Sequence, residues 1–179
     1  MGVTAELPPG IVPAVRPASV LVPLFLRGGE PFVVLTRRTE HLTQHAGQIS
    51  FPGGGREDGD TDDLATALRE AHEEIGLSPE AVEPLGPLDR LDTITGFRVS
   101  PYAAAIPADF PYRAQTAEVA EILELPLAGF LEPAALAVEE REIFGVPRRL
   151  YAYTVRGQVV WGATGRIVRN LLELVAPLL

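Results

Sequence analysis

Apolar residues follow two rhythms along this chain. SVLVPLFLR (19–27) and PFVVLTRR (31–38) are apolar runs of strand length, and Gly28, Gly29 and Glu30 between them predict a hairpin. Pro23 lacks the amide hydrogen that a ladder needs, so the first strand is expected at an edge or with a bulge. QISFPGGG (48–55) predicts a short strand ending in glycines that permit a tight turn. From about Asp62 to Ile75 the rhythm becomes helical, with Leu64, Ala67, Leu68, Ala71 and Ile75 inside one arc of roughly 100°. Asp60 or Thr61 is placed to cap this helix and Gly76 to stop it.

Further on, VEPLGPLDRLDTIT (82–95) and FRVSPYAAAI (97–106) read as strands divided around Gly96. VAEILELPL (119–127) mixes strand with connector, LEPAALAVEE (131–140) has room for a short helix, and RLYAYTVRGQVVWG (149–162) predicts a hairpin about Arg156-Gly157. A last helix is expected from about Thr164 to Val175, where Ile167, Val168, Leu171, Leu172 and Val175 recur at helical spacing before Pro177. Pro8, Pro9, Pro13 and Pro17 make residues 1–18 an irregular arm, leaving 19–179 as a single domain. Strands bracketed by two clear helices predict an α/β (α+β) fold with helices packed on the faces of a central sheet.

Composition narrows the function. A chain of 179 residues with 46% apolar and 22% charged content is an ordinary globular domain. It has no cysteine, which excludes disulfides and thiolate chemistry. A formal charge of −9 disfavours nucleic acid and anionic lipid as partners but leaves a small anionic substrate open, given a metal or local arginines to receive it. No apolar run approaches membrane-spanning length, and the start lacks the pattern of a secretory signal, so a cytoplasmic location is expected. Apolar hairpins could pair two copies into a homodimer, although no heptad signals it.

The chemistry concentrates between Arg56 and Gly76, where Glu57, Asp58, Asp60, Asp62, Asp63, Glu70, Glu73 and Glu74 face only Arg56 and Arg69. Acidic residues suit a helix start, which accounts for Asp62 and Asp63. They do not suit the middle and last turns, where Glu70, Glu73 and Glu74 share one flank and Glu70–Glu74 is a like-charge i,i+4 pair. A solvated face and a divalent-cation site both remain open from spacing alone. If a metal binds, an all-oxygen donor set selects a hard ion, Mg²⁺ or Mn²⁺. An EF-hand is excluded because Asp63 and Arg69 occupy its glycine and glutamate positions, and neither a phosphate loop nor a Rossmann glycine fingerprint is present. Glu139, Glu140 and Glu142 form a second acidic run, read as a solvated face, while Phe51 and Trp161 read as packing residues.

Gly54 followed by REAHEEIGL (69–77) resembles the Nudix box, in which a glycine and a spaced acid precede Arg-Glu, an apolar residue, any residue, Glu-Glu, any residue, glycine and an apolar residue. That box has a glutamate eight residues before the arginine; here Thr61 stands there and Asp60 one place earlier, a one-residue insertion. LTRRTEHLTQHAGQISFPGG (35–54) resembles the upstream signature of the coenzyme A pyrophosphatase branch, with Thr39 for its serine and Thr43 for its arginine. EVAEILELPL (118–127) and VVWGATGRIVRNLLEL (159–174) are also similar to that branch.

The resemblance implies a Nudix-type α/β/α sandwich with a central mixed β-sheet. It also implies metal-dependent hydrolysis of coenzyme A or its derivatives to 3′,5′-ADP and (acyl-)4′-phosphopantetheine by water attack on phosphorus. ADP-ribose, NADH or another nucleoside diphosphate-linked compound is the alternative substrate, and an inactive metabolite-binding regulator a further one. By the same resemblance, Glu70, Glu73 and Glu74 hold the metal, Glu70, Glu73 and Arg69 are catalytic with Arg69 clamping the glutamates, and Arg37, Arg38, His45, Gly53 and Gly54 meet substrate. Glu70, Glu73, Glu118 and Glu121 are the candidate general bases.

Overall fold

A computed structural model describes residues 15–40, 47–143 and 145–176. The first hairpin pairs β1 (Arg16–Arg27) with β2 (Glu30–Arg38) through Leu24↔Val33 to Arg27↔Glu30. Two short strands follow, β3 (Ile49–Ser50) and β4 (Gly53–Gly55). They part β1 from β2, because β3 pairs with Thr36 and Arg37 whereas β4 pairs with Ala18 to Val20.

β1 is therefore interior, not an edge: its other side runs parallel to β7 (Phe97–Ala105) from Arg16↔Phe97 to Leu24↔Ala105. Pro23 is tolerated because its partners change there. Leu21 donates to the Pro52 carbonyl, so Pro23, two residues on, turns the same way, between the last β4 partner at Val20 and the first β2 partner at Leu24. The missing amide falls where no ladder asks for it.

β5 (Glu83–Pro87) and β6 (Leu91–Asp92) pair antiparallel with β7, and β8 (Val119–Pro126) pairs antiparallel with β2, which completes a mixed eight-stranded sheet. α1 (Asp63–Ile75) covers one face, where Ala67, Ala71 and Ile75 pack with Leu21, Phe25, Val34 and Ala104. Its cap is Asp62, whose carboxylate accepts from the Ala65 amide at 2.8 Å, one or two residues later than Asp60 or Thr61. Gly76 ends it in the left-handed region, φ 68.

The opposite face carries a second core of Val33, Leu35, Ile49 and Phe51 against α3 (Gly162–Val175). The segment 131–140 holds a single short helical turn, and from Leu136 onward it is strand, which was not expected. The short helix α2 (Leu127–Leu131) ends as that segment begins; a 3-10 turn, Pro133–Ala135, leads into β9 (Leu136–Ile143). β9, β10 (Val146–Val155) and β11 (Gln158–Trp161) form a separate antiparallel sheet on which α3 rests. Glu139 and Glu140 stand exposed on β9, ion-paired with Arg141 at 2.7 Å and Arg149 at 3.1 Å. Among the described residues no helix is long and apolar enough to cross a membrane.

Candidate active site

The acidic stretch divides into two sets with different partners. Asp60, with a side chain only 5% exposed, receives Arg69 Nε at 2.9 Å and Nη2 at 3.0 Å, together with the Glu57 amide and the Thr66 hydroxyl. The Arg69 hydrogen bonds hold its carboxyl well below the usual carboxylate range. Asp63 takes Arg56, Arg90 and the Ser100 hydroxyl, and Asp62 caps α1. These acids are structural, and their partners account for them.

Glu70, Glu73 and Glu74 form the other set. With Gln115 and Glu118 they line one cleft of about 340 Å³. Glu74 is 5% exposed; it accepts the Gly53 amide at 3.2 Å and lies 3.8 Å from Arg38 Nη1. Burial raises its pKa to about 7, against the pull of Gly53 and Arg38, with Glu70 and Glu118 adding repulsion. Burial likewise raises the Glu70 pKa. Glu73 is 54% exposed, and Arg69 Nη1 reaches both Glu70 at 3.0 Å and Glu73 at 3.2 Å. Arg69 thus links the structural acid Asp60 to two glutamates of the cleft, and its Nη2 also holds the Gly55 carbonyl at 2.9 Å.

The glycines before the helix permit this closeness. A Cβ on Gly53 would run into the backbone of Ser19 and Val20, and one on Gly54 would meet the Glu70 carboxylate. Arg38 and Arg37, adjacent on β2, turn to opposite faces of the sheet. Arg38 faces Glu74, and its buried Nε has no hydrogen-bond partner among the described residues. Arg37 pairs with Glu121 at 3.0 Å and donates to the Gln158 side-chain oxygen. His45, along with His41 and Thr43, lies outside the described residues.

Among the described residues no three acidic or histidine side chains already close on a point as a metal cage. The donor set nevertheless fits a hard divalent cation: four carboxylates and an amide around one cleft, two of the acids deterred from ionising by burial. Gln115 carries no charge and sits in the loop before β8, so nothing in its sequence context marked it. Trp161 departs from expectation too: it is 51% exposed and lines a second cavity, while Phe51 is core as expected.

The NUDIX domain family model matches residues 15–146. The uncharacterised Nudix hydrolase NudL of Escherichia coli O6:H1 is 42% identical over 156 residues, 87% of this chain and 81% of that protein. Its counterpart from Shigella boydii serotype 18 is 41% identical over the same span. Among solved structures, the Nudix hydrolase RenU of M. smegmatis superposes with TM-score 0.63 at 17% identity, covering 92% of this chain and 88% of that one. The NUDIX domain of Shewanella oneidensis NrtR, complexed with ADP ribose, superposes with TM-score 0.52 at 20% identity, covering 72% and 82%. At these identities the structural likeness concerns the fold.

Proposed function

The chain belongs to the NUDIX domain family of hydrolases, whose members generally use a divalent cation, and on that premise we propose that it cleaves the diphosphate of coenzyme A or a derivative. The products are 3′,5′-ADP and 4′-phosphopantetheine or its acyl form. One observation carries the reading: the segment similar to the coenzyme A branch supplies both Arg38 and Gly53, and both bear on Glu74 of the carboxylate helix. The substrate-reading segment and the catalytic helix thus meet at one buried side chain.

Glu70, Glu73 and Glu74 would hold Mg²⁺ or Mn²⁺, which when bound neutralises diphosphate oxygens and acidifies the attacking water. Everything else is the chain's own work. Arg38 presents beside the cleft a buried Nε with no partner among the described residues, a donor suited to a phosphate oxygen. Arg69 fixes the Glu70 and Glu73 carboxylates, so neither spends time finding its position during turnover. Glu70, Glu73 and Glu118 line the cleft and can accept the water's proton. Gly53 and Gly54 keep β4 close enough to bring Glu70 and Glu74 together. Arg37 and His45 belong to the same substrate-reading segment and complete the proposed contacts.

The test is parallel turnover of coenzyme A, ADP-ribose, NADH and diadenosine polyphosphates with Mg²⁺ or Mn²⁺, identifying products. Coenzyme A is expected to be cleaved fastest, and Glu73→Gln to lose roughly 10²–10³ in rate at saturating metal. A clear preference for another substrate, or an unchanged rate for Glu73→Gln, overturns the corresponding half of the proposal.

A further inference from the structure

β2 ends between two cavities. On the α1 side lies the carboxylate cleft reached by Arg38. On the α3 side lies a larger cavity of about 480 Å³, lined by Arg37, Glu40, Gln48, Gln158, Val159 and Trp161 among others. Its volume falls within the ~300–1,000 Å³ of small-molecule sites. The turn of the β10–β11 hairpin builds one wall, with Arg156 at φ 50 and Gly157 at φ 76 bringing Gln158 over Arg37.

From this we infer that the second cavity is the subsite for an adenine base, stacked on Trp161 and read along its edge by Glu40 and Gln158. The inference rests on the proposed diphosphatase reading, since it supposes a nucleotide whose phosphates lie at Arg38. Three features select a neutral flat base over a phosphate. Arg37 is already matched by Glu121, and Glu40 adds a second negative charge at the wall, so a phosphate would be repelled. Trp161 is half exposed beside Val159, an apolar shelf that folding leaves uncovered and that suits base stacking. A carboxylate accepts from an exocyclic amine, while Gln158, its oxygen held by Arg37, retains an amide donor for a ring nitrogen. That donor–acceptor pairing matches the edge of adenine. Because Arg37 and Arg38 are consecutive and face opposite ways, a nucleotide whose phosphates lie at Arg38 has to pass the end of β2 for its base to reach Trp161.

Trp161 is the sole tryptophan of the chain, so its fluorescence reports on this cavity alone. The experiment titrates the full-length protein with the two proposed products, 3′,5′-ADP and separately 4′-phosphopantetheine, neither of which has a diphosphate to cleave, exciting at the red edge against free tryptophanamide. Saturable quenching by 3′,5′-ADP and none by phosphopantetheine is the expected result. Glu40→Gln and Gln158→Leu, which leave the indole in place, should weaken that binding several-fold, and Trp161→Ala should raise KM for the nucleotide substrate roughly tenfold, in line with the loss of one base stack. No quenching by 3′,5′-ADP, or equal quenching by phosphopantetheine, overturns the subsite. The two proposals fail separately: coenzyme A hydrolysis without nucleotide quenching removes the subsite alone, and quenching without coenzyme A hydrolysis removes the substrate reading alone.

Discussion

Asp60 shows how one acid of a carboxylate-rich stretch can serve as an anchor. Its two oxygens take up Arg69, and Arg69 in turn sets Glu70 and Glu73. Asp60→Asn breaks a largely buried pair and is expected to cost about 3 kcal/mol, read by urea unfolding at pH 7. Because the folded-state pKa lies far below the ordinary value, the contribution is full above about pH 4 and is lost only gradually as pH falls toward the folded-state pKa, so the gap between wild type and variant should begin to narrow below about pH 4 and keep narrowing to about pH 2. A difference that stays constant from pH 7 down to about pH 2 would assign the cost to packing. Gly54 gives the complementary case. An added methyl group meets the Glu70 carboxylate, so Gly54→Ala should lower diphosphatase turnover by ~10²–10³ while circular dichroism stays native. Wild-type turnover in this variant would show that Glu70 need not stand where it does.

Elements were legible where their cause is local. α1, α3 and both hairpins follow from periodicity and from glycine at Gly76 and Gly157, features a short window contains. The flank shared by Glu70, Glu73 and Glu74 was legible for the same reason. What sequence could not supply was pairing across distance. Pro23 argued for an edge, yet β1 became interior because β4 and β2 take turns on one side of it. β9 was hidden because Glu139, Glu140, Arg141 and Glu142 mask its alternation, and its partners on β10 come from the far side of a turn. Equally, the burial of Glu74 depends on Gly53 and Arg38, which meet it only after the sheet forms. At this scale α3 offers a direct test. Gly165 lies so close to the Tyr151 carbonyl that a Cβ cannot fit, so Gly165→Ala should push α3 off β10 and cost ~1–3 kcal/mol. Stability equal to wild type in thermal unfolding would mean that helix and sheet are not in that contact.

Across the whole molecule, the sheet separates two apolar cores, and the carboxylate cleft sits at the edge of the α1 side, held by residues from β2, β4 and α1. Folding therefore gathers Glu70, Glu74 and Glu118 against their own repulsion, and burial lifts the Glu74 pKa to about 7. In the metal-free protein the native state prefers Glu74 neutral. Its pKa is raised relative to the unfolded chain, so stability from this group is greatest below the ordinary glutamate value near pH 4.3 and declines as pH rises toward and through about 7. A divalent cation held there as proposed would act in the opposite sense, because it would bind ionised carboxylates assembled only in the native state. Adding Mg²⁺ should therefore raise Tm more at pH 8 than at pH 5. At a hundredfold excess over Kd the gain is about 2.7 kcal/mol. Glu74→Gln cannot ionise, so it should flatten the pH slope of the metal-free protein and shrink the Mg²⁺ shift together. The two effects share one origin, and their separation would break the link: a full Mg²⁺ shift in Glu74→Gln, with the pH slope gone, would place the cation away from this helix.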